Sequence, residues 1–164
     1  MPDKISPIRE TDAAARALAR DLLGAARIAA LAVIEPGTGA PFVSRIAFGL
    51  GPEGEPMSLI SDLSLHAQAL RADPRAALLI GEAGDKGDPL VHPRLTLRTR
   101  AHFLDPVANV RARLRETWLL HHPKAAIYID FADFHFVAFE PESGHLNAGF
   151  AKAYALEQND LKVN

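Results

Sequence analysis

Apolar positions along the chain fall into short blocks divided by turn-forming residues, and the spacing inside each block predicts an element. Residues 1–10 read as a loose tail. Thr11 can cap a helix running to about Ala26, with Leu18, Leu22 and Leu23 as its apolar stripe and Arg16, Arg20 and Asp21 elsewhere on its surface. The grammar then changes. Ile28–Ile34 is a continuous apolar run of buried-strand length, residues 35–41 are turn chemistry, and residues 42–48 alternate, so a hairpin is predicted. A second turn over residues 49–56 leads into a short strand at 57–60. A helix follows over Leu65–Ala72, stopped at Asp73-Pro74 because proline disfavours helix in the residue before it.

Residues 76–80 form the next buried strand, and 81–93 a flexible loop. Residues 94–104 alternate, with Leu95, Leu97 and Thr99 on one side and Arg94, Thr96, Arg98 and Arg100 on the other. Asp105-Pro106 supplies an N-cap and then a proline for a helix whose buried stripe is Leu114, Trp118 and Leu119, closed by His121-His122-Pro123. Residues 134–139 and about 146–155 are the last two strands. Consecutive strands joined by tight turns argue for an antiparallel sheet, and so many in so short a chain for a barrel. The class is mainly β with flanking helices, in one domain over residues 1–164.

Composition adds bounds. The 164 residues are 48% hydrophobic and 23% charged, ordinary for a globular domain. A formal charge of −2 gives no general attraction to nucleic acid or anionic membranes, so neither is an expected partner. No cysteine occurs, which removes disulfides, thiolate metal sites and thiol nucleophiles. The first residues lack signal-peptide grammar and the longest apolar run is too short to span a bilayer, so a cytoplasmic location is expected.

Several strings, taken in order and spacing, resemble one family. These are Pro41-Phe-Val-Ser-Arg45, Leu59-Ile-Ser-Asp-Leu63, His66 with Leu70, Ala72-Asp-Pro-Arg75, Asp88-Pro-Leu-Val-His-Pro-Arg-Leu-Thr96, His122-Pro123, Asp133-Phe134 and Gly149-Phe150. They resemble the haem-utilisation (HugZ-like) branch of the pyridoxamine 5'-phosphate oxidase-like proteins, from about Arg20 to Tyr154. The resemblance implies a six-stranded antiparallel split barrel and a homodimer, commonly with FMN at the dimer interface. Some relatives bind or degrade haem.

The same residues can be read for chemistry. Ser61-Asp-Leu-Ser-Leu-His66 sits where a strand hands over to a helix, so the hydroxyls of Ser61 and Ser64 and free backbone N–H groups converge on the positive end of the helix dipole. His66 can add a charge-assisted donor. Arg45, on a neighbouring strand, is similar in position to the family's phosphate-binding arginine. Where the oxidases carry an Arg-Lys pair, this chain has Leu65 and His66. Arg94 and Thr96 begin the strand that, by the resemblance, lies near the partner subunit's cofactor. Ala151 and Lys152 replace the second glycine of Gly-Phe-Gly and the arginine or glutamine after it. Ala151 can stand in for that glycine only if φ stays negative.

Haem needs an axial ligand, usually histidine. The ligand expected from haem-degrading relatives, after the Gly-Phe-Gly strand, has no histidine here. Asp133, which supports it, is present, and His145, read as a loop residue, is the only late substitute. His121-His122 cannot share one ion because adjacent helix residues diverge, and Asp130 with Asp133 lacks further ligands. No metal site and no catalytic acid or base is assigned. The expectation is an FMN-dependent oxidoreductase, with a haem protein and a non-catalytic flavin-binding module as alternatives.

Overall fold

The computed structural model describes residues 7–163, and the first six residues of the expected tail lie outside them. Among the described residues, nine strands and three α-helices follow one another in this order: β1 (Ile8–Arg9), α1 (Ala13–Ala25), β2 (Ile28–Ile34), β3 (Pro41–Ala47), β4 (Gly49–Leu50), β5 (Pro56–Ser61), α2 (Leu65–Ala72), β6 (Arg75–Ile80), β7 (Arg94–Phe103), α3 (Ala108–His121), β8 (Phe134–Asn147) and β9 (Ala153–Glu157). The main sheet runs β1-β9-β8-β7-β6-β2-β3, with β5 pairing to β8 and β4 to β5. The six antiparallel strands expected are therefore nine, in a mixed sheet. The added parallel pairing comes from Ile8 and Arg9, which join β9 where a loose tail was expected.

The sheet curls but does not close by hydrogen-bonded pairing. β3 pairs only with β2, and β5 only with β4 and β8. Between β3 and β5 the described contact is a side-chain bridge: buried Ser58 donates its hydroxyl to the Ala47 carbonyl at 2.6 Å. This is the split in the barrel, and it leaves β3 and β5 facing each other across a seam.

Two apolar clusters hold the shell. Leu31, Val33, Ile46, Phe48, Ile60, Leu78, Leu95, Leu97 and Phe139 fill the barrel, covered on one side by Ala15, Ala19 and Leu23 of α1. A second cluster, Met57, Leu59, Leu114, Trp118, Ile129 and Phe136, lies under α3. The alternation of β5 divides it between the two: Met57 and Leu59 face α3 while Ile60 faces the barrel, so the strand is buried on both sides. Each fully buried side chain of this size contributes roughly 1.5–3 kcal/mol of transfer free energy. No helix of the described residues is long and apolar enough to cross a membrane.

Three element ends differ from expectation, each for a local reason. Asp12, not Thr11, caps α1, accepting from the Ala15 amide at 2.7 Å, while the Thr11 hydroxyl donates to the Ala155 carbonyl on β9. α3 starts after Val107 with no side-chain cap, because the chain stays extended past Phe103, with the Leu104 amide donating to Phe136. The expected final strand at 146–155 is split. β8 continues to Asn147, and a turn at residues 148–152 then reverses the chain into β9. Gly149 (φ 121°) and Ala151 (φ 56°) carry that turn, so Ala151 does sit in left-handed space.

Candidate functional site

The site lies at the split. From β3 come Arg45 and Ala47, from β5 Leu59 and Ser61, and from the start of α2 Ser64 and His66; with Tyr128 and Phe134 they line an open cavity of about 260 Å³. Of the residues expected to hold a phosphate, the structure brings Arg45, Ser61, Ser64 and His66 to this one cavity. Leu65, 39% exposed, is the first residue of α2 and is not among the residues lining the cavity.

Hydrogen bonding shows how each is used. The Ser64 hydroxyl donates to the Ser61 carbonyl (2.8 Å) and accepts from the Ala67 amide (3.2 Å). The Ser61 hydroxyl donates to the Asp133 carboxylate and accepts from the Leu63 amide. The Asp62 amide donates to the Asp133 carbonyl. Both serines are therefore committed to shaping the turn, and Asp133 anchors it twice. The amides of Leu65 and His66 have no acceptor within the helix, and the Arg45 side chain is uncommitted. Among the described residues the Arg45 side chain forms no hydrogen bond or ion pair, and Arg45 is exposed.

His66 behaves differently from expectation. Its Nδ1 faces the Ser44 hydroxyl at 3.1 Å, its Nε2 is buried with no partner, and burial pulls its pKa below the ordinary imidazole value of 6.5. It is neutral near pH 7, so Arg45 is the only full positive charge lining this cavity.

Around the turn, Asp62 accepts from Arg71 (2.7 Å) and pairs with His135 (2.7 Å), tying α2 to β8. The Arg71 hydrogen bond holds the Asp62 carboxyl below the usual carboxylate range. Arg71 also lies over the Phe103 ring, 3.9 Å from its centroid.

The other expected residues fall elsewhere. Arg94 is spent bracing the preceding loop, its Nη1 donating to the Leu90 carbonyl at 2.9 Å. Thr96 is on the outer sheet face in one cross-strand row that reads Arg45, Ala30, Leu79, Thr96, His145. His145 is thus an exposed residue of β8 rather than a loop histidine. Asp133 and His145 stand at opposite ends of that 14-residue strand and do not converge. His121 and His122 also part: His122 turns inward, stacking on Trp118 and donating to the Phe48 carbonyl at 2.8 Å.

Sequence reasoning missed Tyr128 and Phe134. Phe134 was visible as a strand start and in the Asp133-Phe134 string, with no site role attached, and residues 123–133 carry no strand or long-helix period. A second space, about 170 Å³, adjoins the first on the other side of β3, lined by Ala30, Leu79, Gly81 and Glu82, and again by Arg45.

With the split barrel and its cavity in place, comparison with known proteins identifies the class. The chain belongs to the CREG β-barrel family, whose model matches residues 9–160, within the FMN-binding split-barrel superfamily. It is 32% identical over 116 residues to the chloroplast heme oxygenase HOZ of Arabidopsis thaliana, covering 71% of this chain and 34% of that protein. A heme-binding protein from Mycobacterium smegmatis superposes with TM-score 0.81 at 25% identity over 92% of this chain and 61% of that one. Campylobacter jejuni ChuZ, at 18% identity, shares the fold with TM-score 0.82, over 94% and 63% of the two chains. The chain thus spans about a third of the length of its plant relative and about three fifths of these two solved chains.

Proposed function

We propose that this protein binds FMN at the β3/β5 split and acts as a flavin-dependent oxidoreductase, with the cofactor at the seam of a homodimer. The observation that carries the reading is the meeting, at one cavity, of an uncommitted arginine side chain with the start of α2 at Ser64 and His66. A guanidinium offers paired donors matched to phosphate, and a helix start adds aligned N–H groups and a favourable dipole. The residues present fit that group. Ser61, Ser64 and Asp133 hold the turn in shape, and the buried, unpartnered Nε2 of His66 is one further donor or acceptor beside it.

The slot lined by Ala30 and Leu79 suits a flat ring, and Thr96, whose hydroxyl has no partner among the described residues, follows Leu79 in the same row. A bound flavin supplies the electron-transfer chemistry, while the chain contributes position and electrostatics. Val43 (62% exposed) and Leu79 (44%), with Ala30 and Ala32 on β2 between their strands and Ala77 beside Leu79 on β6, form an apolar outer face that supports a second copy covering the ring.

Titration of the purified protein with FMN tests this: quenched flavin fluorescence with micromolar or tighter affinity is expected, and no binding at that concentration defeats it. Reduction of the bound flavin by a nicotinamide donor, followed by reoxidation, distinguishes an oxidoreductase from a flavin-binding module.

A second reading, haem binding or degradation, is favoured by the match to HOZ and the mycobacterial heme-binding protein. His145 is its candidate axial ligand, exposed on the same outer face. A sharp Soret shift on haem titration, abolished by His145→Ala, supports it; histidine-independent binding counts against it.

A further inference from the structure

Arg45 lines two spaces, one on each side of β3. The first, over Ala30 and Leu79, is the ring slot of the flavin reading. The second is larger than a phosphate requires, its 260 Å³ matching the liquid volume of roughly eight or nine waters. Its far wall is aromatic. Tyr128 and Phe134 pack with ring centroids 4.7 Å apart at 35°, and Phe131 stands edge-on to Phe134 at 6.4 Å. Phe131 is 55% exposed and Tyr128 and Phe134 are only partly covered, so ring surface remains open. The Tyr128 hydroxyl has no hydrogen-bond partner among the described residues. Open aromatic surface beside an anion pocket, with a free phenol at its edge, is what stacking and hydrogen bonding to a heterocyclic base require.

We infer that the ligand held at the split carries a second aromatic base beyond its phosphate, so that a flavin dinucleotide fits the two spaces together better than a mononucleotide. This rests on the flavin reading above. Arg45 then holds the phosphate bridge, the Ala30–Leu79 slot takes the isoalloxazine, and the Tyr128–Phe134 wall takes the base.

The test is calorimetric or fluorescence titration of the full chain with FMN and with FAD, for wild type, Arg45→Ala, Tyr128→Ala and Tyr128→Leu. The leucine variant keeps bulk against Phe134, separating lost stacking from lost folding. FAD should bind about tenfold more tightly than FMN, within the range of a single stacked base. Both Tyr128 variants should weaken FAD about tenfold more than FMN, erasing that margin, and Arg45→Ala should weaken both ligands. FMN binding with no advantage for FAD, or Tyr128 variants that weaken both ligands equally, overturns the inference and leaves the flavin reading standing. Failure of both flavins to bind removes the two together.

Discussion

The Ser44 hydroxyl and the Nδ1 of His66 meet at 3.1 Å, joining the free-edge strand β3 to the first turn of α2. The contact spans the split at the point where β3 and β5 have no ladder between them, and it places a half-buried imidazole at the edge of the cavity.

That burial has a pH consequence. His66 and His122 are both held below the ordinary imidazole value, in each case mainly by desolvation. The unfolded chain therefore binds more protons than the folded one as pH falls through 6.5. The stability these neutral rings confer is complete above that value and lost below it. Urea denaturation at intervals from pH 7.5 to 5 should show stability falling below about pH 6.5. His66→Gln should reduce the slope in that window. A flat profile for wild type would show that neither ring is buried in neutral form.

The turn between β8 and β9 holds Ala151 at φ 56°. An L-residue there costs about 1–2 kcal/mol, part of which glycine returns as chain entropy in the unfolded state. Ala151→Gly should raise stability by about 0.5–1 kcal/mol in chemical denaturation.

Gly54 is the converse case. Its φ is +80°, and a Cβ built there would lie 2.1 Å from the Val163 carbonyl oxygen. Strain and collision with backbone act together, so Gly54→Ala should cost about 2 kcal/mol or more, read as a lower Tm. An unchanged Tm would mean that the segment around Val163 is not seated on this turn.

The fold was largely legible because its strands declare themselves by period. Ile28–Ile34 and Leu65–Ala72 have the predicted bounds, and the inward set Leu95, Leu97 and Thr99 is buried as the alternation of β7 required. What was not legible came from long-range pairing. The β1–β9 pair depends on residues 145 positions apart in register, Ile8 with Ala153 and Arg9 with Tyr154, and the continuation of β8 through His145 on partners in β7 and β9.

The candidate site divides in the same way. Arg45, Ser61, Ser64 and His66 could be nominated from a strand, a cap and a helix start, and they do line one cavity. Their separate roles could not be read, because Asp133 takes up Ser61, and burial keeps His66 uncharged. Tyr128 reaches the cavity from a short helical turn over Pro123–Ile127 and its C-cap, which have no clear periodic signature.

Arg45 offers the most direct measurement. Its side chain makes no hydrogen bond or ion pair among the described residues, so Arg45→Ala should leave Tm nearly unchanged. It should also remove a charge-assisted pair to phosphate, weakening FMN about 10- to 100-fold. Equilibrium titration of wild type and variant with FMN reads both: micromolar binding lost to that extent in a folded variant is the expected result. Equal affinity in the two proteins, or no binding by the wild type, would contradict a phosphate site at the split.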